Sequence, residues 1–127
     1  NNTIDVFDNE KSIKKLINKN IITDNTPLED SKDPNSSTVY KLFHLIASQE
    51  RSDEMANKLL AGGYGWGHAK KELINEITNR FAPEREKFNH YMNHPKEVED
   101  VLQKGALKAK KVANATLNRV RKNLGYN

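Results

Sequence analysis

The sequence predicts an all-α protein, a helical bundle of about five helices with an extended N-terminal arm and a long surface loop. Apolar residues recur every three or four positions over most of the chain, and no segment reads as a strand of a parallel sheet. Glycines and prolines fall between these patterns. With 35% hydrophobic and 30% charged residues, the 127 residues can form a core only if apolar side chains are concentrated on helix stripes.

The chain is expected to open with an extended arm and a first helix. Residues 3–7 alternate polar and apolar side chains, and Asp8 is the expected cap of the helix that follows. Ile13, Leu16 and Ile17 share one face of that helix. We therefore expect this face, and not the arm, to contribute to the core.

Two short helices are predicted after a polar loop. The loop holds two prolines and many turn-forming residues, so we expect it on the surface. Ser37 or Thr38 caps the second helix, and Ser52 begins the third. Gly62 and Gly63 are expected to end the third helix, because glycine accepts the left-handed backbone of a helix terminus.

The remaining chain reads as two longer helices. One runs from about His68 to Met92, with a kink near Asn79 to Phe81, because Pro83 lacks a backbone donor. Pro95 suits the first turn of the last helix. That helix has an apolar face ended by Gly125, made of Val98, Val101, Leu102, Ala109, Val112, Ala113, Leu117, Val120 and Leu124. A different face carries Lys104, Lys108, Lys111 and Lys122.

Charge is distributed unevenly. Residues 1–66 carry 8 lysines and arginines against 10 acids, whereas residues 67–127 carry 13 against 7, a net charge of +6. The last 27 residues hold seven basic residues and no acid. This pattern is typical of a nucleic-acid partner, although solvated lysine helices also occur in proteins that bind nothing. The chain has no cysteine, which suits a reducing cytoplasm, and no apolar run of membrane-spanning length.

The residues point to no catalytic site and no metal site. The glycine-rich corner at 62–67 follows a helix, and its spacing fits neither common nucleotide-binding loop. His90 and His94 have the spacing of a helical metal pair, but His94 precedes a proline and no third ligand is evident. No serine has the setting of a nucleophile. For Arg85, an ion pair with Glu86 or a neighbouring helix competes with a phosphate or base contact.

Several short elements resemble the C-terminal part of bacterial tryptophanyl-tRNA synthetases. Gly63-Tyr64-Gly65 with Lys70 resembles the family's glycine–tyrosine–glycine turn, and Pro83-Glu84-Arg85-Glu86 its proline–x–arginine–glutamate element. The segment 105–109, continued by residues 113–125, is similar to its closing helix. Near the start, Ile22-Thr23-Asp24 resembles the family's threonine–aspartate segment. The resemblance lies in the order and spacing of these elements, and it covers nearly the whole chain.

The resemblance implies a division of labour. The family activates tryptophan with ATP and Mg²⁺ and transfers it to tRNA(Trp), using a Rossmann-type catalytic domain whose signatures are missing here. Asn1-Asn2 would follow the family's K-M-S-K-S loop. Residues 1–22 would then follow the catalytic domain, residues 23–37 would be a polar loop, and residues 38–127 would bind the anticodon region. The fragment would be non-catalytic and would hold no cofactor, and the parent would be a cytoplasmic homodimer.

On this basis we predict an RNA-binding set that acts on phosphates first and on bases second. The set is Lys70, Arg85, Lys104, Lys108, Lys111 and Arg121. Two alternatives stay open. One is a helical protein–protein module, with a solvated basic face and an exposed apolar arm at residues 3–7 that docks on a partner. The other is a self-contained nucleic-acid-binding protein outside translation.

Overall fold

The protein is all-α, as predicted. A computed structural model describes residues 3–126, so the expectation for Asn1-Asn2 lies outside the described residues. Within them there are six α-helices and no strand. The helices are α1 (Glu10–Asn20), α2 (Thr38–Ile46), α3 (Gln49–Ala61), α4 (Trp66–Arg80), α5 (Ala82–Asn93) and α6 (Pro95–Asn123), with a single 3-10 turn at Pro34–Ser36.

The chain divides into two compact units, residues 1–86 and residues 87–127. The boundary falls inside α5. The predicted boundaries at residues 22/23 and 37/38 separate a segment that follows the catalytic domain, a polar loop and an anticodon-binding part. These boundaries stay a prediction.

The first unit is built around a core of apolar side chains from its first four helices. α2 packs mainly on α4, α1 also packs on α4, and α3 packs on α2. Phe43, Met55, Leu59 and Leu73 are fully buried at the centre of this arrangement. Ile13 and Ile17 bury the face of α1 that the sequence predicted for the core.

Two of the predicted helix starts are wrong by a few residues. Asn9, not Asp8, caps α1, where its side chain accepts the Ser12 backbone N–H at 2.9 Å. Ser48, not Ser52, caps α3. Ser52 is buried inside the helix, and its hydroxyl donates to the Ser48 carbonyl one turn earlier at 2.9 Å. The predicted cap of α2 by Ser37 is confirmed.

The predicted kink is a full break, which explains why the chain has six helices and not five. α4 ends at Arg80, and Phe81, with φ −103° and ψ 12°, lies between it and α5. Pro83 falls in the first turn of α5, where its missing backbone donor costs nothing. One long apolar pattern therefore corresponds to two helices.

The glycine corner ends α3, as predicted, and is held against the preceding loop. Gly62 and Gly63 have φ of 76° and 72°, in the region that favours glycine. A Cβ atom at Gly62 would lie only 2.3 Å from the Glu29 carbonyl oxygen. The Gly63 N–H donates to the Leu28 carbonyl at 2.9 Å. The corner therefore requires glycine for space as well as for its backbone angles.

The polar loop is not confined to the surface, contrary to our expectation. Lys32 is only 2% exposed, and its ammonium donates to the carbonyls of Pro27, Leu28 and Asp30 at 2.8, 3.0 and 2.9 Å. Its backbone N–H donates to Leu59 at the end of α3. A buried lysine thus organises the loop around itself.

The N-terminal arm packs on the core of the first unit, and the expectation that its apolar side chains are exposed is wrong for two of the three. Ile4 and Val6 are partly buried against the core, while Thr3 and Asp5 face solvent. The predicted alternation is therefore correct for residues 3–6, where the chain itself covers the apolar side, whereas Phe7 is 38% exposed.

Candidate nucleic-acid interface

The candidate interface is α6, a helix of 29 residues and roughly 43 Å. All of its residues are exposed. At about 100° per residue, Lys104, Lys108 and Lys111 fall within an arc of about 60° on the helix surface. Within the described chain none of the three has a hydrogen bond or an ion pair, so their ammonium groups are available to a ligand.

Arg121 also lies on α6 but points about 80° away from this arc. Lys122, which the sequence placed on the basic face but which we left out of the binding set, falls within the arc. The second unit as a whole carries 9 basic residues against 3 acids, a net charge of +6, whereas the first unit has a net charge of −2. Positive charge is thus concentrated in the unit that contains this helix.

The predicted apolar face of α6 is present but is not buried. Val101, Leu102, Val112 and Leu124 are each between 61% and 69% exposed. A stripe of this kind normally packs against another element. In the described chain it offers apolar area to solvent beside the basic arc.

Lys70 holds two helices of the first unit together. Its ammonium donates to the Ile21 carbonyl at 2.7 Å, with the Asn18 carbonyl 3.5 Å away. Both carbonyls belong to the C-terminal end of α1, where a cation is favoured by the helix dipole. RNA contact by Lys70 stays a prediction, but its ammonium already has a structural role.

Arg85 ties the arm to the break between α4 and α5. Its guanidinium donates to the Val6 carbonyl at 2.8 Å and to the Thr78 carbonyl at 3.3 Å. Neither of the two sequence-level interpretations included these partners. The arrangement brings Lys70 and Arg85 to internal carbonyls, and leaves the α6 cations in solvent.

The turn between α5 and α6 brings Glu97 to the two histidines that the sequence spacing had paired. His90 Nε2 lies 2.9 Å from the Glu97 carboxylate, and His94 Nδ1 lies 2.7 Å from the His90 carbonyl. The hydrogen bond from His90, together with the nearby histidine charges, lowers the pKa of Glu97. Glu97 is the third candidate ligand that the sequence pattern did not reveal. Its spacing of three residues from His94 was the available signal.

The glycine corner does not fit a nucleotide. The space beside Gly62 is filled by the Glu29 carbonyl, and the amide of Gly63 is occupied by Leu28. Burial raises the pKa of Tyr64 at this corner, and the nearby Glu72 carboxylate raises it further. Trp66 donates its indole N–H to the Asp24 carboxylate at 2.9 Å. The corner is therefore a packed turn.

Over the described residues, no helix is both long enough and apolar enough to cross a membrane.

Comparison with known proteins finds tryptophan–tRNA ligases. The chain is 36% identical over 125 residues to the tryptophan–tRNA ligase of Fusobacterium nucleatum and 38% identical to that of Rhodopirellula baltica. Each match covers 98% of this chain, with 38% and 39% of the relatives' lengths. This chain corresponds to one part of a tryptophanyl-tRNA synthetase. No family model matches it.

The synthetase likeness extends to the fold. A crystal structure of tryptophanyl-tRNA synthetase from Campylobacter jejuni, complexed with ADP and tryptophan, superimposes with a TM-score of 0.92 at 35% identity. The match covers 98% of this chain and 39% of that one. The chain thus spans less than half the length of the synthetases that it matches.

Proposed function

We propose that this chain is the tRNA-binding helical part of a tryptophan–tRNA ligase and contacts the anticodon region of tRNA(Trp). The similarity to synthetases over 98% of the chain supports the family assignment. The observation that carries the RNA role is the exposed α6, whose last 23 residues, 101–123, contain seven basic residues and no acid.

The lysines of α6 supply phosphate attraction. Lys104, Lys108 and Lys111 present three ammonium groups on one arc, and each phosphate that they neutralise releases bound counterions. Arg121 lies on a second side of α6, where its planar guanidinium suits a base edge or a phosphate. Lys70 and Arg85 complete the proposed set. Their hydrogen bonds to backbone carbonyls give them a structural role in addition to any RNA contact.

The parent enzyme would supply the chemistry. It would activate tryptophan with ATP and Mg²⁺ on a Rossmann-type domain outside this chain and pass the aminoacyl group to tRNA(Trp) in the cytoplasm, as a homodimer. In this proposal the chain provides no catalytic residue. Its contribution is to bind and orient the tRNA.

Binding of the chain to tRNA(Trp) across a salt series tests the proposal. We expect Lys104→Gln/Lys108→Gln/Lys111→Gln to weaken binding and to reduce the slope of log K against log salt by about 2–3, close to one for each phosphate that is no longer neutralised. A parallel titration with altered anticodon bases separates base reading from phosphate attraction. A preference that disappears on changing the anticodon indicates base reading.

The matched control is Lys11→Gln/Lys14→Gln/Lys15→Gln, which removes three exposed lysines from α1. This variant changes the net charge by the same amount, but its lysines lie outside the proposed interface on α6. It should therefore keep most of the affinity and of the salt slope. Equal losses in both triple variants would mean that net charge alone attracts RNA. The proposed interface on α6 would then be wrong.

A protein–protein module is a second candidate because the apolar face of α6 is exposed. In the arm, Ile4 and Val6 pack on the core and Phe7 is the exposed apolar residue, so the arm offers little apolar area for docking. The apolar face of α6 is therefore the surface to test. If Val101→Ser/Val112→Ser abolished a protein complex while tRNA binding stayed unchanged, this second function would be supported.

A further inference from the structure

The turn between α5 and α6 places two imidazoles and a carboxylate together in solvent. One nitrogen from each ring and one oxygen of Glu97 all lie within 4.8 Å of one another. The rings of His90 and His94 stack with centroids 4.3 Å apart. The side chains of His90 and Glu97 are about half exposed, so an ion can reach them directly.

The backbone fixes this arrangement. Pro95 begins α6 and leaves His94, with φ −127° and ψ 61°, outside helical geometry. The chain therefore turns at His94, and the first turn of α6 brings Glu97 back to His90. Pro95 argues against a metal pair within one helix. It also begins α6, whose first turn carries the third candidate ligand, Glu97.

The hydrogen bonds match the way in which metal-binding histidines are oriented. His94 Nδ1 is within 2.7 Å of the His90 carbonyl, a contact that assigns its proton to Nδ1 and leaves a lone pair on Nε2. His90 Nε2–H donates to the Glu97 carboxylate across 2.9 Å, and a cation bound between these two atoms would displace that proton.

We propose that His90, His94 and Glu97 bind one divalent transition-metal ion, of which Zn²⁺ is the representative. Two imidazole nitrogens and one carboxylate oxygen form a set that zinc accepts, with water completing the coordination. Ligand atoms around zinc lie roughly 3.3 Å apart, so the side chains need to close by at most about 1.5 Å. The stacked rings also need to rotate, so that a nitrogen lone pair of each ring points to the same ion. The ion would join the last turn of α5 to the first turn of α6. This inference does not depend on the proposed function.

Calorimetric titration of the tag-free chain with Zn²⁺, and visible absorption with Co²⁺, test the site. We expect one ion per chain, and a loss of affinity of at least tenfold in Glu97→Gln and in His90→Gln/His94→Gln. All three residues are exposed, so these variants should keep their helical circular dichroism. If the double variant loses helicity, Glu97→Gln alone decides the result.

The matched control is His44→Gln, which removes an exposed histidine on α2 that stacks on Tyr40. It should bind Zn²⁺ as the unchanged chain does. Absence of saturable binding by the unchanged chain, equal binding by Glu97→Gln, or an equal loss in His44→Gln would each overturn the proposal.

Discussion

Several basic side chains of the first unit bind to the protein itself, whereas those of α6 in the second unit face solvent. In the first unit, Lys32, Lys70 and Arg85 each donate to backbone carbonyls, and Arg51 pairs with Glu76 between α3 and α4. In the second unit, the cations of α6 are exposed and lie on a helix with no buried residue. The sequence predicted Lys70, Arg85 and the cations of α6 as a single binding set. The structure divides this set by burial: Lys70 and Arg85 are partly buried and donate to carbonyls, whereas the cations of α6 are exposed and available to a ligand.

The largest test of this contrast is truncation of an apolar side chain in each unit. Phe43→Ala removes a fully buried ring from α2, and we expect it to cost about 3–5 kcal/mol of unfolding free energy. Val112→Ala removes methyl groups that are 69% exposed on α6, so it should change stability by less than about 0.5 kcal/mol.

Urea denaturation measures both variants. Trp66, the one tryptophan, reports the first unit by fluorescence, while circular dichroism reports all helices. A cost of several kcal/mol in Val112→Ala would mean that the apolar face of α6 is buried in the molecule, and the contrast between the units would fail.

A smaller effect is expected at the buried lysine of the loop. Lys32→Met keeps most of the side-chain length but deprives three carbonyls of a donor, and we expect a loss of roughly 2–3 kcal/mol. Lys41→Met changes an exposed lysine on α2 and should be nearly neutral. Thermal unfolding compares the two. Equal stabilities would show that the three hydrogen bonds do no more than offset the cost of burying the charge.

The smallest effect sharpens the division between structural and binding cations. Lys70→Met removes the link from α4 to the end of α1, and we expect a cost of about 1 kcal/mol, whereas Lys71→Met at an exposed neighbour should cost almost nothing. Stability and tRNA affinity are measured on both variants. Unchanged stability with a loss of tRNA affinity in Lys70→Met would move Lys70 from the structural group to the binding group.

The local pattern determined much of the fold. Helical periodicity, the glycines after α3 and Pro83 predicted the class and the main boundaries, because these signals act within a few residues of where they are read. The caps were harder to assign, since Asp8 and Asn9, or Ser48 and Ser52, are equally able to cap a helix. The backbone conformation before each helix decides which of the two residues is the cap.

The site was less accessible to sequence reasoning. The basic character of α6 is visible in its composition, but the partners of Lys32 and Arg85 are carbonyls, which every residue possesses. No residue type in the sequence indicates that several backbone carbonyls will point to the same place. The grouping of Glu97 with two histidines depends on the direction of the chain at His94, so a search within one helix overlooked it.

The close approach of Gly62 to Glu29 has a consequence for variation in chain length. Segment 27–32 is fastened by the glycine corner on one side and by the Lys32 ammonium on the other. Surface loops usually tolerate inserted residues. Here an insertion would move the Glu29 carbonyl and the three acceptors of Lys32 out of register together. We therefore expect segment 27–32 not to tolerate insertions or deletions, although its composition is that of a flexible linker.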